Sequence, residues 1–472
     1  MWTRVWRCLW LVVTLMLYRA GGVVLGGVEV GEYLKDRVVG LPGQPKVSFE
    51  QYAGYVTVNT NDGRALFYWL MEATHTASSK PLVLWLNGVY LIAGPGCSSV
   101  AYGASEEIGP FRINKTATSL YINPYSWNKL ANLIFLESPA GVGFSYTNTS
   151  SNLKDTGDER TAEDSLIFLV KWFARFPQYK YREMYITGES YAGHYIPQLA
   201  KKIYEYNKRL SKPFINLKGF MVGNAVTDDY YDNLGTVNYW WSHAMISDQT
   251  YHSILRNCNF RLEDTSPTCD SFISYAMNQE FGNIDQYSIY TAPCGKSSGD
   301  GKKSSTRFKK SLLTLRGYDP CTESYAEKYY NRADVQKALH ANITGISYSW
   351  TACSDILIRN WQDSDFSILP IYKELIEASG LRIWMYSGDA DSVVPVTATR
   401  FSLKRLNLTV KSHWYPWYYS KQVGGWTEEY QGLTFATIRG AGHEVPLFRP
   451  KAALQLFKSF LSGQNLPANP TV

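Results

Sequence analysis

Short apolar runs recur along this chain, and segments of helical periodicity separate them. Pro81 to Leu86, Ala131 to Leu136, Glu183 to Thr187, Leu217 to Val222, Leu381 to Tyr386 and Leu433 to Ile438 are apolar at successive positions. Such runs mark strands covered on both faces, as in a mainly parallel sheet. Nearer the start, the β-rich stretches Val47 to Val58 and Arg64 to Met71 flank Asn61-Asp62-Gly63, a hairpin turn signal. The clearest helix is Asp158 to Arg175, where Ala162, Leu166, Ile167, Leu169, Val170 and Phe173 share one face and Pro177 stops the run. Alternation of strands and helices predicts an α/β fold with a mixed, mostly parallel central sheet flanked by helices. Its two parts are expected over residues 30–227 and 351–465. Across residues 228–350 the strand rhythm lapses into Tyr, Asn and Ser with four cysteines, which predicts a disulfide-stapled insertion, or cap, subdomain.

Composition narrows the setting. The chain has 472 residues, 45% hydrophobic and 19% charged, which excludes a disordered or coiled-coil protein. Arg4 and Arg7 precede an apolar run from Leu9 to Tyr18, and small residues follow. This is the layout of a cleavable secretory signal over residues 1–22, whose apolar run of about ten residues is well short of the roughly 20 that cross a bilayer as a helix. The mature protein is therefore expected outside the membrane, extracellular or vacuolar. Without Cys8, six cysteines remain: Cys97, Cys258, Cys269, Cys294, Cys321 and Cys353. An even number in an oxidising compartment predicts three disulfides, among fifteen pairings that spacing alone leaves open. Sequons at Asn114, Asn148, Asn342 and Asn407 are candidate glycosylation sites. Of the formal charge of +6, the leader carries +3 and residues 295–316 another +6, so the remainder is −3. Charge so placed argues against a nucleic-acid partner and marks residues 295–316 as an exposed basic loop, a candidate processing site.

Candidate chemistry lies in three loops. Met184 to Thr187 leads into Gly188-Glu189-Ser190-Tyr191-Ala192-Gly193, a strand, a tight turn with Ser at its tip and a helix start. This is the sequence form of a nucleophile elbow, with Ala in place of its usual last Gly. Two further loops follow later strands: Ser387-Gly388-Asp389-Ala390-Asp391 and Gly440-Ala441-Gly442-His443-Glu444. Nucleophile, acid and His in that order predict an α/β-hydrolase fold.

These strings, with Gly94-Pro95-Gly96-Cys97-Ser98-Ser99 and Glu137-Ser138-Pro139-Ala140-Gly141-Val142-Gly143, resemble the serine carboxypeptidase family, in particular its plant members, from about Val47 to Gly463. The resemblance implies Ser190 as nucleophile, His443 as general base and acid, and Asp391 rather than Asp389 as the acid that orients the imidazole. It implies oxyanion donors from the Tyr191 and Gly94 N–H groups, and a substrate carboxylate held by Asn87, Gly88, Glu107 and Glu189 with Trp85 in support. It also implies the disulfides Cys97–Cys353, Cys258–Cys269 and Cys294–Cys321. Glu444 is expected in the pocket for the leaving residue, favouring C-terminal Lys or Arg.

The expected reaction is release of C-terminal residues from peptides or proteins by an acyl-enzyme route, with no cofactor or metal. Two carboxyls gripping a carboxylate must share protons, so activity is expected to peak at about pH 4 to 6. Two other classes stay open: a glucose-ester acyltransferase, whose relatives typically carry Asp at the position of Glu189, and a catalytically dead secreted binding protein. A homodimer is also compatible with the sequence. One departure is conspicuous, because Val89 to Ala93 separate Asn87-Gly88 from Gly94-Pro95-Gly96, and removing these five residues restores the family string. They are expected to disturb the oxyanion loop and impair the enzyme, as the product of a retained piece of intron.

Overall fold

A computed structural model describes residues 31–88, 95–262, 265–294, 320–345 and 348–470. The expected leader at 1–22, the basic loop at 295–316, and Val89 to Ala93 with Gly94 lie outside the described residues. Twelve strands occur among the described residues: β1 (Gln51–Asn59), β2 (Arg64–Met71), β3 (Leu82–Gly88), β4 (Phe111–Ile113), β5 (Leu120–Ile122), β6 (Asn132–Leu136), β7 (Met184–Ser190), β8 (Leu217–Gly223), β9 (Arg382–Gly388), β10 (Val410–Tyr419), β11 (Gln422–Tyr430) and β12 (Leu433–Ile438). All except β4 and β5, which pair with each other, join one sheet in the order β1-β2-β6-β3-β7-β8-β9-β12-β11-β10. The six strands from β6 to β12 are parallel, and antiparallel pairs close both edges.

Three parallel strands run past the apolar residues that predict them. β3, β7 and β9 continue to Gly88, Ser190 and Gly388 because the ladder persists there, with Asn87 beside Glu189 and Gly88 beside Ser190. Polar residues at the carboxyl ends of central strands are thereby drawn into the sheet. The hairpin β10–β11 was not expected from the apolar pattern. Its β10 is half exposed, rich in aromatics on both faces and carries Pro416, which an edge strand accommodates.

The main helices are α1 (Asp158–Arg175), α2 (Ala192–Lys208), α3 (Asp229–Ser242), α4 (Asp248–Asn257), α5 (Pro267–Tyr275), α6 (Thr322–Tyr330), α7 (Leu369–Ala378), α8 (Val396–Leu406) and α9 (Pro450–Ser462). One apolar cluster joins the sheet to α1, α2 and α7 through residues such as Trp172, Ile196 and Leu375. A second joins it to α6 and α9, through Tyr330 and Phe457 among others. A third, smaller cluster lies within α3 to α5 around Val237, Trp240, Ile254 and Phe281. Ala326, Tyr329, Tyr330, Val335, Leu339 and Trp350 thus pack with the sheet rather than with α3 to α5. The disulfides are Cys97–Cys353, Cys258–Cys269 and Cys294–Cys321.

The second cluster reaches the site directly. Phe457 stacks on Trp127 with ring centroids 4.0 Å apart, Trp127 meets Trp85 edge-on at 5.6 Å, and Trp85 Nε1 donates to Asn87. Phe457→Ala is expected to cost roughly 3–5 kcal/mol of stability, the range for emptying a buried aromatic position. A denaturant midpoint equal to that of the unaltered chain would contradict this packing.

Candidate active site

Ser190 ends β7 with a φ of +61°, a left-handed conformation that costs a non-glycine residue energy and persists only where its surroundings enforce it. The neighbours show why the turn is so tight. A Cβ on Gly188 would sit 2.0 Å from the Leu86 carbonyl oxygen, and one on Gly193 would sit 2.2 Å from that of Val226. Positions without a Cβ on both sides of Ser190 therefore let strand and helix close on each other. Ala192 stands in place of the elbow's more usual last glycine.

His443 lies in the loop after β12, and its Nδ1 is 2.7 Å from Asp391 Oδ2 with both side chains fully buried. Asp391 is fixed from three further sides: Val393 N–H donates to Oδ1, and Val394 N–H and Asn224 Nδ2 donate to Oδ2. Such convergence orients a carboxylate toward the imidazole and selects the tautomer with the proton on Nδ1. Asp389 does a different job, accepting from the Gly440 N–H at 2.6 Å and so tying the two loops together. His443 N–H donates to the Tyr287 carbonyl at 2.8 Å, and the Tyr287 ring meets the imidazole at 5.0 Å. Ser190 Oγ and His443 Nε2 are buried and have no hydrogen-bond partner.

Beside them is a group of carboxyls. Asn87 Nδ2 donates to Glu107 Oε1 at 3.2 Å and to Glu189 Oε1 at 3.1 Å, while its Oδ1 accepts from Trp85 Nε1 and from the Gly103 N–H. Glu107 ends the π-helical segment Val100–Glu107, and the buried Arg112 donates to the Glu107 carbonyl at 2.5 Å. Gly103 is required here, since a Cβ would lie 2.3 Å from the Trp85 ring. The second oxygens of Glu107 and Glu189 are buried without partners. Buried polar atoms are normally satisfied, and here four unpartnered ones belong to residues grouped at the end of the sheet.

Burial dominates the electrostatics. It pushes the Glu107 carboxyl up to about 7, against the lowering influence of the adjacent Glu189 and Asn87. Glu189 stands well above its usual range, through burial first and then repulsion from Glu107 and Glu444. Glu444 is raised likewise, by burial and then by Glu106, Glu107, Asp285 and Glu323. Glu106, unmarked by the sequence pattern, is pushed up to about 8, again mainly by burial.

The sequence-marked residues fall into three groups. Ser190, Asp391 and His443 come to one end of the sheet, with Asn87, Gly88, Glu107, Glu189 and Glu444 around them. Tyr191 N–H, expected to face an oxyanion, donates to the Gly88 carbonyl at 3.1 Å, at the last rung of the β3–β7 ladder where Gly88 pairs with Ser190. Gly94 lies outside the described residues. Of the sequons, Asn148 and Asn407 are exposed, whereas Asn114 and Asn342 are half-buried and bonded to neighbouring side chains. Asn224, Arg112, Tyr287 and Glu106 carried no signal in the linear pattern. Among the described residues, no cluster of His, Cys, Asp or Glu is arranged to hold a metal ion, and no helix is long and apolar enough to cross a membrane.

A sequence model of the serine carboxypeptidase family matches residues 42–463. "Serine carboxypeptidase 24" of Arabidopsis thaliana is 69% identical, with 92% of this chain and 94% of that protein covered. "Serine carboxypeptidase-like 25" of the same plant is 63% identical, with 94% of each covered. Among solved structures, the Saccharomyces cerevisiae prohormone-processing carboxypeptidase Kex1(delta)p superposes with a TM-score of 0.75 at 22% identity, over 91% of this chain and 96% of that one; at this identity the likeness speaks for the fold.

The buried acids also set a pH dependence. Glu106, Glu107, Glu137 and Asp232 are all raised by burial, to about 8, 7, 7 and 7. Each binds its proton more tightly folded than unfolded. Their contribution to stability is fully present below the ordinary carboxyl range and is lost as pH rises through about 7 to 8. Tm followed by calorimetry is expected to fall from about pH 5 to pH 8; a Tm that climbs across this window would refute the burial argument.

Proposed function

Because the chain belongs to the serine carboxypeptidase family, we propose that it is a serine-type exopeptidase that releases C-terminal residues from peptides at acidic pH. The observation that carries this reading is the set of buried, unpartnered atoms at Ser190, His443, Glu107 and Glu189. In the proposed cycle His443 Nε2 takes the Ser190 proton as Oγ attacks the last peptide carbonyl. The tetrahedral intermediate collapses, the C–N bond breaks, and His443 returns the proton to the leaving amine. Water, deprotonated by the same imidazole, then cleaves the acyl-enzyme.

Recognition of a C-terminus follows from the protonated carboxyls. With their pKa raised, Glu107 and Glu189 carry protons in mildly acidic solution and can donate to the substrate carboxylate, while Asn87 holds them in place. Above about pH 7 the Glu107 proton is lost, its charge faces the like charge of the substrate carboxylate, and binding fails. Glu444, held toward its neutral form by burial and by Glu106, Glu107, Asp285 and Glu323, offers a carboxyl that a basic leaving residue would draw back to its charged form. Glu189 paired to Glu107 through Asn87 favours this reading over acyl transfer from glucose esters. Three disulfides together with the leader at 1–22 support a secreted or vacuolar location, and the exposed Asn148 and Asn407 are the stronger glycan sites.

The direct test compares matched peptides ending in Arg, in Leu and in Leu-amide. The free acids are expected to be trimmed, Arg at least as fast as Leu, and the amide spared; KM is expected to rise steeply above about pH 7, and Ser190→Ala to abolish turnover. Efficient cleavage of the amide, or activity that keeps increasing through about pH 8, would reject the binding scheme.

The same reading includes impairment by Val89 to Ala93. It is supported by the Tyr191 N–H, which is occupied by the carbonyl of the residue immediately before the interruption. An oxyanion would have to displace that carbonyl, and a lost donor lowers the rate by about 10²- to 10³-fold. Deleting the five residues is expected to raise kcat by one to three orders of magnitude with little change in KM. Equal kcat with and without the deletion would remove the impairment.

A further inference from the structure

Asp158, at the first position of α1, is 2% exposed and lies outside the set of residues described so far. Four groups converge on its carboxylate at 3.0 Å each: the Tyr191 hydroxyl and Trp361 Nε1 on Oδ1, and His194 Nδ1 and Gln198 Nε2 on Oδ2. Tyr191, His194 and Gln198 are three and four residues apart in turn, so they line one face of the helix that begins at the elbow. The Tyr191 ring is held from every side. It stacks on the His194 ring at 4.7 Å and meets Tyr195 and Trp361 edge-on at 5.2 and 6.0 Å. Its hydroxyl also accepts from Ser364 Oγ at 2.6 Å.

Tyr191 is the residue after the nucleophile, and the direction of its backbone N–H is set by how its side chain is fastened. The preceding residue holds a φ of +61° that tends to relax unless constrained. On the opposite wall, the Tyr195 hydroxyl accepts from the Gly96 N–H at 3.2 Å, so the same aromatic layer also touches the loop beyond the interruption.

We propose that Asp158 is a positioning residue for acyl transfer: it clamps Tyr191 so that the peptide between Ser190 and Tyr191 keeps its strained geometry and its N–H direction. The proposal rests on the exopeptidase reading for its consequence, but not for the clamp itself. Asp158 touches no reacting atom. Its effect is confined to the alignment of groups that matter most in the transition state, so its loss acts on kcat and leaves substrate binding nearly intact.

The test uses the full chain, alone and with Val89 to Ala93 deleted, carrying Asp158→Asn, Tyr191→Phe or the neighbouring exposed Glu159→Gln as control. Asp158→Asn and Tyr191→Phe are expected to lower kcat about 10- to 100-fold with KM within about twofold, to weaken a peptide boronate in the same proportion, and to leave the control unchanged. Hydrogen exchange is expected to quicken over residues 188–195 and nowhere else. Unchanged kcat in a folded Asp158→Asn protein, or a rise in KM alone, overturns the proposal. If neither background hydrolyses any peptide, the exopeptidase reading has failed, and exchange decides the clamp: faster exchange confined to residues 188–195 supports it, and unchanged exchange there rejects it.

Discussion

The register between β3 and β7 is the constraint on which the site depends. It sets Asn87 opposite Glu189 and Gly88 opposite Ser190, so the residues that would read a carboxylate and the residue that would attack a carbonyl occupy adjacent steps of one ladder. A slip of one position would turn every side chain of β3 to the other face of the sheet. Trp85 and Asn87 would then leave the face that Gly103 and Glu107 cover. Because β3 and β7 are both central, with β6 and β8 on their outer sides, the register is held by burial on both faces rather than by the turn alone. The spacing between the carboxylate site and the nucleophile is therefore a property of the sheet.

Around that ladder the protein accepts an unfavourable arrangement of charge. Glu106, Glu107, Glu189 and Glu444 are buried near one another, and burial pushes each toward its neutral form. Asn87, with Trp85 behind it, supplies donors without adding charge, and the buried Arg112 is spent on carbonyls rather than on the acids. Had Arg112 paired with Glu107, that carboxyl would be ionised and unable to donate to a substrate carboxylate. The cost in stability toward neutral pH and the proposed recognition of a C-terminus would thus have one cause.

How much of this is legible in the sequence depends on how far apart the partners lie. α1 is readable from Asp158 to Arg175 because a long amphipathic helix repeats its signal over many turns, and the central strands are readable because burial on both faces excludes polar residues. The elbow is readable because Gly188, Ser190, Ala192 and Gly193 fall close together in the chain, although the atoms that require the two glycines belong to the distant Leu86 and Val226. β10 and β11 are not, because a half-exposed edge strand with aromatics on both faces has no single period. Asn224 and Asp158 are silent for a different reason. Asn224 meets Asp391 across 167 positions, and Asp158 meets Tyr191 across 33, and nothing local in either segment marks them. The resemblance of the loop strings to a known family supplied the identities of Asn87, Glu107 and Glu189, which no periodicity could have picked out.

The interrupted loop shows how binding and chemistry can be separated within one short segment. Both described sides of it are fastened to the start of α2: Gly88 through its carbonyl on the Tyr191 N–H, and Gly96 through its N–H on the Tyr195 hydroxyl. Asn87, one residue earlier, keeps its bonds to Glu107 and Glu189. In the proposed reading the residues assigned to the substrate carboxylate all lie outside these two points, whereas the assigned oxyanion donors are the Tyr191 N–H, which Gly88 occupies, and Gly94. An interaction used equally by substrate and transition state would then be preserved and one used mainly by the transition state would bear the change, placing the burden on kcat rather than on KM.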